Sequence, residues 1–326
     1  MAGTRVPVLD SLLKPGPLRT ALTIAGLALA AGCIAWLAFN VPNAAGALKG
    51  FDTRLLPVLL ALVAADYALR FYRWRWLLRR ATGLHVPLVT DAHLFLAGTA
   101  MILTPGRAGE WLKCVYAERL LGVPVAKTAP IPLLERLVDV PAMLALAGLG
   151  ALFFETRLVL VAAPIAAVVA IAGWRTLRPM FRKRFGSMLD SPLMCGSTVA
   201  CALALGTGAW AIECVAFYVV LTGFGVEGGA ELMGQAAFIY PLATLLGTFS
   251  FLPGGIGIAE GGIAGMLRAT AGTPAAVATA SALVIRFAIV GLGVLAGLPS
   301  FLLLGGKALK ASKLEDVAGL EVPKAA

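Results

Sequence analysis

Residues 275–304 read AAVATASALVIRFAIVGLGVLAGLPSFLLL, thirty residues interrupted by one charge, Arg286. A bilayer core about 30 Å thick is crossed by roughly 20 helical residues rising about 1.5 Å each. This stretch can therefore cross a membrane with residues to spare. Stretches of the same character recur at 18–39, 55–71, 89–103, 131–154, 158–174, 193–223 and 232–251. In all of them the apolar residues run on instead of alternating or falling into heptads. Over the whole chain 60% of residues are apolar and 13% charged, with a mean hydropathy of +0.89. Soluble domains hold about 45–50% apolar and about 25% charged residues. The chain reads as all-α, a polytopic integral membrane protein.

The net charge of +10 invites a nucleic-acid reading. The Lys and Arg residues, however, cluster in short segments between apolar runs, as cytoplasmic loops do under the positive-inside bias. No nucleic-acid partner is expected. Cys33, Cys114, Cys195, Cys201 and Cys214 show no CxxC spacing, and His85 and His93 are the two histidines. Neither a zinc site nor a disulfide framework is supported, and no cofactor is implied. The run 18–39 exceeds a signal-peptide core and reads as a retained first span.

Basic clusters set the orientation. Arg70, Arg73, Arg75, Arg79 and Arg80 follow the second span, Arg175 to Arg184 the fifth, and Lys307 to Lys313 the last. These clusters and the N-terminus are expected in the cytoplasm. The loop with Glu227 and Glu231 suits the outside. Trp74 and Trp76 among the first cluster read as an interfacial belt with snorkelling arginines. Counting crossings between these fixed points leaves two segments that do not cross. Segment 89–103 runs into Thr104-Pro105-Gly106-Arg107-Ala108-Gly109-Glu110, and 232–251 into Leu252-Pro253-Gly254-Gly255-Ile256-Gly257. Pro and Gly break helices, and broken backbone at membrane depth survives only inside protein or beside a wet cavity. Both read as re-entrant hairpins, leaving about six full crossings. The expected organisation is a cytoplasmic segment 1–17, a membrane region 18–305 with halves at 55–174 and 193–304, and a cytoplasmic tail 306–326.

Charges inside spans are functional candidates by default, and here they recur. Glu110 closes the first break, and Arg136 lies 26 residues later; Glu260 closes the second, and Arg286 also lies 26 residues later. Upstream, Asp66 and Glu213 are 147 apart, while the break-and-arginine pairs are offset by 150. With the crossing count, the halves relate as an inverted repeat, a device of secondary transporters. Glu135 and Asp139 share a helix face with Arg136 beside them, so the trio is expected to point into protein. Arg107 is a candidate for meeting an anionic headgroup. Gly254, Gly255 and Gly257 permit close backbone approach. His93 is read as a packing or interfacial residue.

At Pro105-Gly106-Arg107-Ala108-Gly109-Glu110, Glu135-Arg136 with Asp139, Pro253-Gly254-Gly255-Ile256-Gly257 with Glu260, and Arg286, the chain resembles the lysylphosphatidylglycerol synthase transmembrane-region, or flippase-like, family. The likeness covers roughly 18–305. It implies a bacterial or archaeal plasma-membrane protein. In larger members this region moves an aminoacylated phospholipid between leaflets beside a soluble aminoacyltransferase domain. About twenty polar residues follow the last apolar run here, so the resemblance is to a stand-alone member, and related ones are linked to hopanoid or glycolipid pathways.

Three functions follow. The first is a lipid flippase or transporter for a polar-headgroup lipid, its site lined by Asp66, Arg107, Glu110, Arg136, Glu213, Glu260 and Arg286. The second is a membrane-embedded transferase, for which Glu135 and Asp139 form the only acid–base pair; with no Asp-x-Asp and no composable triad, an enzyme is not the expectation. The third is a non-transporting partner subunit of a lipid-modifying enzyme.

Overall fold

The computed structural model describes residues 45–104, 109–153, 191–250 and 252–304. The expected first and fifth spans, the 175–184 cluster, both termini and Pro105 to Ala108, with Arg107, lie outside them.

Every described element is helical. The helices are α1 (Leu56–Thr82), α2 (Leu88–Ala100), α3 (Leu112–Leu121), α4 (Pro130–Ala151), α5 (Gly196–Gly223), α6 (Ala230–Phe249), α7 (Ile258–Ala271) and α8 (Ala275–Leu304). α1 carries Pro57 in its first turn, where a missing N–H is no loss, and stops at Gly83, whose φ of 73° lets its amide return to the Arg79 carbonyl. α3 and α7 end alike. Gly122 and Gly272 adopt φ of 67° and 60°, and Pro124 and Pro274 cap the turn that follows. These Gly–x–Pro corners lie 150 residues apart, the same offset as the charged pairs.

Among the described residues, four helices are long and apolar enough to cross a membrane: Thr53–Thr82, Gly196–Gly223, Ala230–Phe249 and Ala275–Leu304. α6, expected as a hairpin arm, is thus itself long enough to cross. α4, expected to cross, carries Glu135, Arg136 and Asp139 within its 22 residues. Length therefore does not separate arms from spans here. The chain is a multi-pass helical membrane protein.

Packing inverts the soluble pattern. Val58, Leu60, Leu149, Leu152, Phe153, Phe249, Phe287 and Leu302 are exposed, while Asp66, Arg73, Lys113, Glu135, Asp139, Glu213 and Glu260 are buried. Large apolar side chains exposed around buried charges suit hydrocarbon as the solvent. α5 packs on α1, α4 and α6; α6 packs on α4 and α7; α7 packs on α8; and α2 packs on α3. Phe217, Ile239 and Tyr240 anchor one apolar cluster, and Trp74, Leu77 and Leu134 anchor another. The charges lie between them.

Candidate functional site

The two broken segments meet. A Cβ added to Gly254 would stand 2.7 Å from Leu103 Cδ2, and one on Gly255 would stand 2.9 Å from the Gly247 backbone. With φ of 62° and 67° as well, both positions require glycine. Around this contact the charged residues form three linked groups.

In the second half, Glu260 Oε1 accepts from Arg286 Nε at 2.9 Å, and its Oε2 accepts the Gly257 N–H at 2.6 Å. Arg286 Nη2 donates to the Gly254 carbonyl. Acid and base are each tied to the break's own backbone. In the first half, Arg136 Nη2 donates to Glu110 Oε2 at 2.9 Å, and its Nη1 lies 3.4 Å from Asp139 Oδ2. Lys113 Nζ donates to Glu135 Oε2 at 2.8 Å, and Arg73 Nη1 to Asp139 Oδ1 at 2.8 Å. Between the halves, Arg70 Nε bonds Asp66 at 2.8 Å, Arg70 Nη2 bonds Glu213, and the Tyr240 hydroxyl donates to Glu213 Oε2 at 2.6 Å. Every one of these five cations faces a carboxylate, which offsets the several kcal/mol that each buried ion costs.

All three groups border one cavity of about 80 Å³, which also touches Trp210, Thr244, Gly254 and Gly255. A single water needs roughly 10–15 Å³ on this scale, so the space suits a few waters or a small polar group. Trp210 Nε1 and Thr244 Oγ1 are buried without a hydrogen-bond partner among the described residues. They are two donors at the wall for which the described residues offer no acceptor.

The expected residues Asp66, Glu110, Glu135, Arg136, Glu213, Gly254, Gly255 and Arg286 line this cavity. Asp139 and Glu260 stand one contact behind it, bonded to Arg73 and Arg286. Gly257 serves the Glu260 carboxylate through its amide. His93 Nδ1 lies 2.9 Å from Ser300 Oγ, tying α2 to α8.

The interfacial belt needs correction. α1 continues unbroken to Thr82, so Arg73 and Trp74 are buried at 2% and 0% exposure and Arg70 reaches across to Glu213. Arg79 and Arg80 are the exposed members, with Arg80 over the Trp76 ring. Arg70 and Arg73 thus belong to the site, as do Lys113, Tyr240, Trp210 and Thr244, none of which the sequence reading placed there. Asp66 and Arg70, an acid four residues before a base, was the readable signal. For Tyr240 and Thr244 there was none.

Residues 23–297 match the family described as lysylphosphatidylglycerol synthase TM region. A protein of Methanothermobacter thermautotrophicus described as a UPF0104 membrane protein is 24% identical over 279 residues, covering 72% of this chain and 79% of that one. A match running from the first apolar segment into α8, through both Pro–Gly breaks and all their charged partners, shows that the chain belongs to the lysylphosphatidylglycerol synthase transmembrane-region family.

Proposed function

We propose that this protein moves a lipid with a polar headgroup from one membrane leaflet to the other, the headgroup passing through the charged cavity. One observation carries this reading: Glu110 and Arg136 of the first half, and Gly254, Gly255 and Arg286 of the second, line one polar cavity, with Glu260 bonded to Arg286 behind it. Trp210 Nε1 and Thr244 Oγ1, without a hydrogen-bond partner among the described residues, add two polar groups at its wall. In this reading the breaks are re-entrant hairpins entering from opposite faces, about six segments cross, and the halves form an inverted repeat. Both termini lie in the cytoplasm of a bacterial or archaeal plasma membrane, and no catalytic step is involved.

The test is leaflet exchange of a headgroup-labelled phospholipid in proteoliposomes. Wild-type protein is expected to accelerate exchange, and Glu110→Gln and Glu260→Gln to abolish it while the purified variants stay folded. Exchange intact in both variants removes the site assignment. Chemical turnover of the lipid without exchange points to a transferase. Cysteines at Arg79 and Glu227 are expected to label from opposite sides of the membrane.

A second reading has one fact in its favour. The cavity is small, and its five cations are already paired. On that basis the pairs only hold the breaks in place, and the protein is a non-transporting membrane partner of a lipid-modifying enzyme. Wild-type protein without exchange activity, recovered with such an enzyme bound, supports it.

A further inference from the structure

α8 is not one regular helix. Directly after Arg286 it opens into a π-turn, Phe287–Gly291, before continuing to Leu304. Such turns widen the helix and disturb its carbonyl pairing. The Ile289 carbonyl is met from outside the helix, by the Tyr67 hydroxyl at 2.7 Å. Tyr67 follows Asp66 on α1, and its hydroxyl sits where a Cβ on Gly293 would come within 1.7 Å. Only glycine lets the ring lie there.

The π-turn has two faces. Arg286, Ile289 and Val290 line the polar cavity. Arg286, Phe287, Val290 and Gly291 also line a groove of about 830 Å³ between the start of α1 and the second half of α8. That groove is apolar apart from Glu260 and Arg286 at its wall. One turn of helix therefore divides a space too small for hydrocarbon from a space too apolar for a headgroup. The Arg286–Glu260 pair stands at the boundary.

We propose that the groove holds an acyl chain of the lipid whose headgroup occupies the polar cavity, and that the π-turn is the partition between them, latched by the Tyr67–Ile289 hydrogen bond. This rests on the transport reading. Continuity selects the occupant: a membrane lipid joins a polar head to an apolar chain, and the two spaces share Arg286 and Val290 as their common wall.

The first test needs no transport. Protein is reconstituted into phosphatidylglycerol vesicles doped with a phospholipid carrying a photoreactive diazirine at the end of one chain, irradiated, and mapped by mass spectrometry. Adducts on Phe287, Leu292 and Leu295 are expected several-fold above those on Leu152 and Leu246, which are 77% and 51% exposed elsewhere. Equal labelling means ordinary lipid contact and overturns the groove assignment. Cross-links from residues 18–39 to the groove, with no lipid adduct, show that the chain covers it itself, and overturn it too.

The second test addresses the partition. Tyr67→Phe removes the latch and keeps the ring, so exchange should rise about two- to tenfold, the equivalent of one hydrogen bond. Leu295→Trp, filling the groove, should lower it. If wild-type protein exchanges lipid and both variants match it, the partition proposal fails while the transport reading stands. If wild-type exchanges nothing, the transport reading fails, and the adduct pattern still decides the groove.

Discussion

The two glutamate–arginine pairs share a spacing of 26 residues and a bond length of 2.9 Å, yet they are held differently. Glu260–Arg286 is clamped by backbone: the Gly257 amide on one side and the Gly254 carbonyl on the other, with side chains 4% and 8% exposed. Arg136, by contrast, meets the side chains of Glu110 and Asp139, is 30% exposed against 8% for Arg286, and joins a web with Glu135, Lys113 and Arg73. A backbone clamp fixes geometry. A web of long side chains can exchange partners at little cost in fold. The second half therefore reads as the rigid wall of the cavity, and the first half as the adaptable one.

Five substitutions would break or sharpen that contrast. The largest effect is expected from Arg286→Leu, which leaves Glu260 charged and buried. Breaking such a pair costs about 3–5 kcal/mol, so thermal unfolding in detergent should show a large fall in midpoint or failure to accumulate; a near-native midpoint would mean the clamp is not structural. Arg136→Leu should cost less, about 1.5–3 kcal/mol, as for a hydrogen bond to a charged group, because its side chain is partly exposed. This variant should stay folded and lose lipid exchange. Equal destabilisation by the two would erase the distinction between the halves.

Gly255→Ala tests the clamp through the backbone. At φ of 67°, with Gly247 2.9 Å from the new methyl, a cost of about 1–2 kcal/mol should appear in the same unfolding assay. The smallest effect is expected for Arg79→Ala, at the exposed end of α1. It should stay within about 0.5 kcal/mol, against a severe loss for Arg73→Ala, which strips Asp139 of a 2.8 Å partner.

That last pair marks where sequence reading stopped. The four residues of the matched pairs were legible because each glutamate follows a Pro–Gly break and each arginine lies 26 residues after its glutamate. The membrane class was legible from run length alone. Arg70 and Arg73 were misplaced because a rule based on charge counts cannot see where a helix ends. α1 carries its last three turns past the apolar run, buried by Trp74, Leu77 and Leu78. Lys113, three residues beyond Glu110, gave no signal, because its partner Glu135 lies on another helix 22 residues away. Tyr240 and Thr244 stand in an apolar run, where hydroxyls are ordinary until a cavity is seen beside them. α6, read as a hairpin arm, is a helix of 20 residues that is also long enough to cross, and composition alone does not tell the two apart.

Thr244 offers the most direct measurement, since its hydroxyl, at the cavity wall, has no partner among the described residues. With Cys33, Cys195 and Cys201 replaced by serine, Thr244→Cys protein in proteoliposomes is treated with a bulky methanethiosulfonate reagent, assayed for leaflet exchange, then reduced and assayed again. If the headgroup passes through the cavity, exchange is lost on modification and returns on reduction. Complete modification with unchanged exchange would place the lipid's path elsewhere.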